Sequence, residues 1–180
     1  MALIAQPVLA QTSAMNEAIQ LSLKGNHEEA INMIKGIISK EPKNFYAYNN
    51  LGLVYMRMGK HDLALEAYET ALKINPDFIM AVNNLGQLYK EMGKYDLAES
   101  TLKKAILFFP NLELAHNGLG EIYFKQQRYD DAIIHFKKAT EIRPDQAVYH
   151  RQLAESYEAK HMDAEAKKEF DEYNRLKDNQ

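Results

Sequence analysis

Pro42, Pro76, Pro110 and Pro144 stand 34 residues apart each time, and Ala30, Ala64, Ala98, Ala132 and Ala166 keep the same interval. An interval of that length, held without a slip, means stacked copies of one small unit rather than a single-core globule. Cutting the 180 residues at this period leaves a tail, 1–10, and five blocks: 11–44, 45–78, 79–112, 113–146 and 147–180. Residues 11–180 are thus read as one elongated domain. In each block two apolar stripes at helical spacing flank a turn at Gly25, Gly59, Gly93, Gln127 or His161, which predicts an antiparallel helix pair. Glu28, Asp62, Asp96 and Asp130 open the second helix, where a carboxylate suits the positive end of the dipole. The prolines close it, because their ring and missing N–H stop the helix. The predicted class is all-α.

Charge narrows the choice of partner. Lys and Arg number 22 against 25 Asp and Glu, a net charge of -3, so nothing electrostatic points to nucleic acid or anionic lipid. Without cysteine there is neither a disulfide frame nor a thiolate metal site, and the redox compartment stays open. No apolar run is long enough for membrane insertion. The tail, MALIAQPVLA, carries no charge, and Val8-Leu9-Ala10 suits the end of a signal peptide. Gln6-Pro7 and the missing basic start oppose that reading; a truncated signal or an expression remnant is one expectation for 1–10, and a frayed N-terminal tail is the plainer one. The compartment is undetermined: cytoplasmic, or bacterial periplasmic if 1–10 end a signal peptide.

Between the period marks lies a denser pattern. The middle blocks read Tyr48-x-x-Leu51-Gly52-x-x-Tyr55, Val82-x-x-Leu85-Gly86-x-x-Tyr89 and His116-x-x-Leu119-Gly120-x-x-Tyr123. The signature continues with Ala64, Tyr68, Ala71 and Pro76; Ala98, Leu102, Ala105 and Pro110; and Ala132, Phe136, Ala139 and Pro144. This resembles the tetratricopeptide repeat family. The resemblance implies an α-solenoid wound into a right-handed superhelix, with first helices lining a concave side and second helices a convex one. Glycine inside a helix costs about 1 kcal/mol relative to alanine, so Gly52, Gly86 and Gly120 need a reason. Close approach of the paired helix at Ala64, Ala98 and Ala132 is the expected one. Blocks one and five depart from the pattern, with Glu17 and Ala18 for Leu-Gly and Asp178 for Pro, as terminal caps do.

On the implied groove side, spacings of three and four bring one set of places onto a single helical face. Candidate binding residues there are Asn16, Asn49, Asn50, Leu53, Met56, Arg57, Met80, Asn83, Asn84, Gln87, Asn117, Glu121, Phe124 and Arg151. Lys90, Glu91, Lys125, Gln152, Glu155 and Glu158 share the phase. Asn16, Asn50 and Asn84 form one asparagine row and Asn49, Asn83 and Asn117 another. A carboxamide satisfies both the N–H and the C=O of an extended peptide, so such a ladder reads backbone; it is similar to the asparagine ladder of one member of the family. Local packing is the competing reading. Met15, Ile19, Tyr46, Leu53, Met56 and Met80 make one half apolar and adaptable, while Glu121, Glu155 and Glu158 make the other acidic. An amphipathic segment, apolar at one end and basic at the other, would suit it.

Several features lead nowhere. The family's carboxylate-clamp activity needs cations at places that, in the three possible frames, hold Met15, Met80 and Asn84, or Asn49, Leu114 and Gly118, or Asn83, Val148 and Gln152 here. Of the six histidines, His116 and His150 lie one repeat apart where Tyr48 and Val82 stand, which favours packing over ligation. Lys103-Lys104 and Lys137-Lys138 fall on second helices and are expected to be solvated, and Phe109, where neighbouring blocks hold Asn75 and Arg143, is expected to be exposed. No catalytic residue, metal site or cofactor is expected. The reading is a noncatalytic scaffold or adaptor that holds a peptide or helix of a partner protein; the alternative is a module that self-assembles through its repeat ends or tail.

Overall fold

The structure is a computed structural model that describes residues 5–178, with side chains from Ser13 onward. Among the described residues every regular element is an α-helix. They are α1 (Ala5–Leu23), α2 (His27–Lys40), α3 (Phe45–Arg57), α4 (His61–Ile74), α5 (Ile79–Glu91), α6 (Tyr95–Phe108), α7 (Glu113–Lys125), α8 (Tyr129–Ile142), α9 (Ala147–Ala159) and α10 (Asp163–Asp178). Residues 5–10 of the tail lie within α1, and the part before Ala5 falls outside the described residues. No described helix is long and apolar enough to cross a membrane.

The chain divides into two compact units, 1–88 and 89–180, each built from consecutive helix pairs. In the first, α1 packs on α2, α2 on α3 and α3 on α4, and α1 also touches α3. Its core is Ala30, Ile34, Val54, Ala64, Tyr68 and Ala71. In the second, the same succession runs from α6 to α10, with α7 also touching α9. Ala98, Leu102, Leu119, Ile122, Ala132, Phe136 and Leu153 are buried there. Helix α10 buries only Ala166, and Lys167, Lys168 and Asp171 on it face water.

The turns within the pairs are five copies of one device. Gly25, Gly59, Gly93, Gln127 and His161 all have positive φ, from 56° to 89°. At Gln127 its own N–H reaches Phe124 O at 3.0 Å, and the next N–H, on Arg128, reaches Tyr123 O at 2.8 Å. The same two bonds recur at the other four turns and close the orphan carbonyls of the first helix. Second helices end two residues before each proline, at Lys40, Ile74, Phe108 and Ile142. The residue between adopts the extended backbone that a following proline requires, φ near -130°.

The helix glycines have a different neighbour from the one their pattern suggests. A Cβ on Gly52 would stand 2.5 Å from the Tyr68 ring, and one on Gly120 would stand 2.6 Å from the Phe136 ring. Both rings are fully buried. Ala64 and Ala132 are buried too, but it is the aromatic of the paired helix that occupies the space a side chain would take. The glycine makes a slot for a ring.

Candidate functional site

The odd-numbered helices carry the candidate residues, and their side chains sort by depth. In the first unit Asn16 and Arg57 are exposed, Asn50, Leu53, Met56, Asn84 and Gln87 are half-buried, and Met80 is half exposed. Asn49, 0% exposed, and Asn83, 6%, lie beneath the surface. Those two members of the asparagine row are therefore turned inward, while Asn117 of the same row is half-buried. Asn84 Nδ2 donates to Asn49 Oδ1 at 2.8 Å, tying α5 to α3. Asn50 Nδ2 donates to the Tyr46 carbonyl of its own helix at 2.8 Å. Arg57 reaches back one repeat to Ser22 Oγ at 3.0 Å, and the Met56 sulfur accepts from Tyr68 OH at 3.1 Å. Tyr46 forms an aromatic shelf with Phe45 and Phe78, centroids 4.6 and 4.8 Å away.

In the second unit the polar residues converge on one carboxylate. Glu121 Oε1 accepts from Gln152 Nε2 at 2.6 Å and from Asn117 Nδ2 at 3.1 Å, while Oε2 pairs with Lys90. One side chain thus links α5, α7 and α9. Beside it opens a cavity of about 490 Å³ lined by Lys90, Glu91, Glu121, Phe124, Lys125, Gln152 and Glu155 from odd helices. Tyr95 and Phe136 complete the wall from even helices, a contribution that helical phase along the odd helices does not reveal. Arg151, exposed, stands 3.6 Å from Glu155 and outside the lining. Two buried oxygens by Glu121 lack a hydrogen-bond partner, Asn117 Oδ1 and Gln152 Oε1.

His116, His135 and His150 serve packing. His116 Nε2 lies 3.0 Å from the Pro110 carbonyl, and His150 Nε2 lies 3.2 Å from the Pro144 carbonyl, the same bond one repeat on. A neutral His116 donating there leaves Nδ1 to accept from His135 Nδ1, 3.0 Å away. Burial, reinforced by His116, pushes His135 down to about 4, and burial lowers His116 as well. Nearby, Glu99 accepts from Lys103 at 2.6 Å and from Tyr123 OH at 3.0 Å, and Lys103 chiefly holds its carboxyl below the usual range. Arg128 stacks over the Tyr123 ring at 4.1 Å. Among the described residues no three His, Asp or Glu side chains are grouped to hold a metal ion.

Residues 45–78 and 114–146 match one tetratricopeptide repeat profile and residues 67–100 match a second. No curated protein sequence matches the chain. Among solved structures, MamA of MSR-1 is 29% identical, aligned over 95% of this chain and 98% of its own, with a TM-score of 0.69. A MamA segment, residue 41 to the end, from Desulfovibrio magneticus RS-1 has 22% identity, coverage of 94% and 96%, and a TM-score of 0.78. PilF of Pseudomonas aeruginosa has 21% identity, coverage of 93% and 78%, and a TM-score of 0.82. The last two likenesses concern the fold alone. With the 34-residue interval, the antiparallel helix pairs and these profile matches, the chain belongs to the tetratricopeptide repeat family.

Proposed function

We propose that the protein is a noncatalytic scaffold that receives an extended or helical segment of a partner on the face of its odd-numbered helices. One observation carries the reading. Tyr46, Met80, Leu114 and Val148 occupy the same place in successive blocks, and each leaves 41% to 53% of its surface in water. Within each unit, Tyr46 and Met80 in the first and Leu114 and Val148 in the second, apolar side chains left in water at the same place of successive repeats supply a recurring contact for a partner. Half-buried Asn50 stands one helical turn beyond Tyr46 and offers a backbone-reading oxygen beside that row. The test is photocrosslinking from Met80 compared with Leu97, an exposed residue of an even helix. A partner peptide should attach from position 80 and not from 97, and Asn50→Ala with Met80→Ser should weaken it about tenfold with an unchanged melt. Equal attachment from both positions refutes the reading.

Self-assembly is the second reading, supported at another place. Leu107 and Phe108 are 76% and 69% exposed, and the places matching Leu107 hold Ser39, Lys73, Glu141 and Arg175. Sedimentation at rising concentration, repeated with Leu107→Lys, tests it: a strict monomer at every concentration ends that reading.

A further inference from the structure

We infer that the cavity of the second unit takes the guanidinium of an arginine on the partner segment, an inference that rests on the scaffold function proposed above. The first argument is charge. Glu91, Glu121 and Glu155 face Lys90 and Lys125 around the cavity, and Lys90 is already committed to Glu121. Glu155 has only a loose, half-exposed partner in Arg151 at 3.6 Å. The second argument is hydrogen-bonding capacity. Gln152 Oε1, in the wall, and Asn117 Oδ1, beside Glu121, are both buried and both unpartnered, and both are acceptors. Of the two, only Gln152 belongs to the lining, so a ligand that reaches its oxygen brings a donor, which a carboxylate or carbonyl cannot. The third argument is shape. Phe124, Tyr95 and the buried Phe136 supply ring walls, and a guanidinium can stack its plane on a ring while directing five N–H groups to acceptors at its edge. An ammonium has three donors and no face to stack. About 490 Å³ is room for an arginine side chain and part of its neighbour. Lys125, exposed at the rim, is the lining cation not held by Glu121 and opposes the ligand most directly.

The test is an NMR titration of the labelled full chain with N-acetyl-arginine amide, and with its citrulline and lysine counterparts. Arginine should shift Phe124, Lys125, Gln152 and Glu155 saturably, with citrulline and lysine each about tenfold weaker. Glu155→Gln, a change at a half-exposed side chain, should weaken arginine roughly tenfold, and Lys125→Ala should strengthen it. Citrulline or lysine binding as well as arginine, or shifts that miss these residues, overturns the inference. Its failure is separable from failure of the scaffold reading. A partner that crosslinks at position 80 while arginine amide stays out of the cavity sinks this inference alone; arginine in the cavity with no crosslink at 80 supports the cavity and sinks the scaffold.

Discussion

Gly36 and Gly120 both lie inside helices, and replacing each by alanine should move stability in opposite directions. At Gly36, in α2, nothing stands within 4 Å of the added Cβ, so the substitution keeps only its helix-propensity gain, up to about 1 kcal/mol. At Gly120 the new Cβ would meet Phe136 Cδ1 and Cε1, both at 2.6 Å, and Cζ at 2.9 Å. These are mid-ring atoms of a side chain only 1% exposed, so the ring cannot swing into solvent. Overpacking of this kind costs about 1–3 kcal/mol and, with so close a contact, should exceed the propensity gain. The expected net loss is about 1–2 kcal/mol, a fall in Tm of roughly 2–8 °C at this chain length. Circular-dichroism melts of the two single variants measure the sign. A double variant, Gly120→Ala with Phe136→Leu, puts at position 136 the residue type that stands one repeat earlier, Leu102, and should lose less than the two single changes summed. If Gly120→Ala is as stabilising as Gly36→Ala, the ring does not set the need for glycine.

Gln127→Gly should stabilise by about 1 kcal/mol in a denaturant melt, since φ of 60° burdens a residue with a Cβ; no gain would mean the Gln127 side chain compensates its own strain. His161→Gly, at 56°, should behave alike. Because His135 sits at about 4 when folded against 6.5 otherwise, its folded state refuses a proton that the unfolded chain accepts. Stability should be complete above 6.5 and fall progressively towards pH 4, by about 2 kcal/mol after allowing for its partial exposure. His116→Val with His135→Thr, the residue types that stand at 82 and 101 in block three, should flatten that slope in melts from pH 7 to 4.5. Asn84→Ala strands the Asn49 carboxamide, fully buried and with Nδ2 already unpartnered, and should cost about 1–3 kcal/mol by melting; no loss would show that water serves Asn49 as well.

The period made some three-dimensional facts readable and hid others. Gln127 and His161 were legible as turn residues only because they fall where Gly25, Gly59 and Gly93 fall; neither residue type announces the left-handed backbone that both adopt. Glycine at 52 and 120 announced a close approach but not its partner. Helical phase gives the side of a helix, whereas which side chain leans across from the next helix depends on how far that helix is rotated about its axis. The same limit separates Asn49 from Asn50. Adjacent places differ by about 100° on the wheel, both satisfy a three-and-four spacing, and only packing decides that one is 0% exposed while the other is half-buried. Tyr95 and Phe136 joined the cavity wall from even helices, so no stripe along the odd helices could have included them.

The carboxamides bear on how recognition could vary among such arrays. A side chain that holds two repeats together cannot be exchanged for specificity without loss of stability, and Asn84 through Asn49 is in that position. Glu121, bonded from Lys90, Asn117 and Gln152, is in it too. Substitution at either would confound a binding measurement with local unfolding, since repeat arrays open unit by unit rather than all at once. The informative positions are those that reach solvent without carrying an inter-repeat bond: Met80 in the first unit, and Glu155 and Lys125 in the second. Glu155 and Lys125 have opposite charge at the mouth of one cavity, so exchanging them, Glu155→Lys with Lys125→Glu, keeps the net charge while moving the carboxylate from one place to the other. If the cavity reads charge at a fixed place, the exchange abolishes arginine binding; if it reads only the summed field, the exchange leaves binding intact and the role given to Glu155 falls.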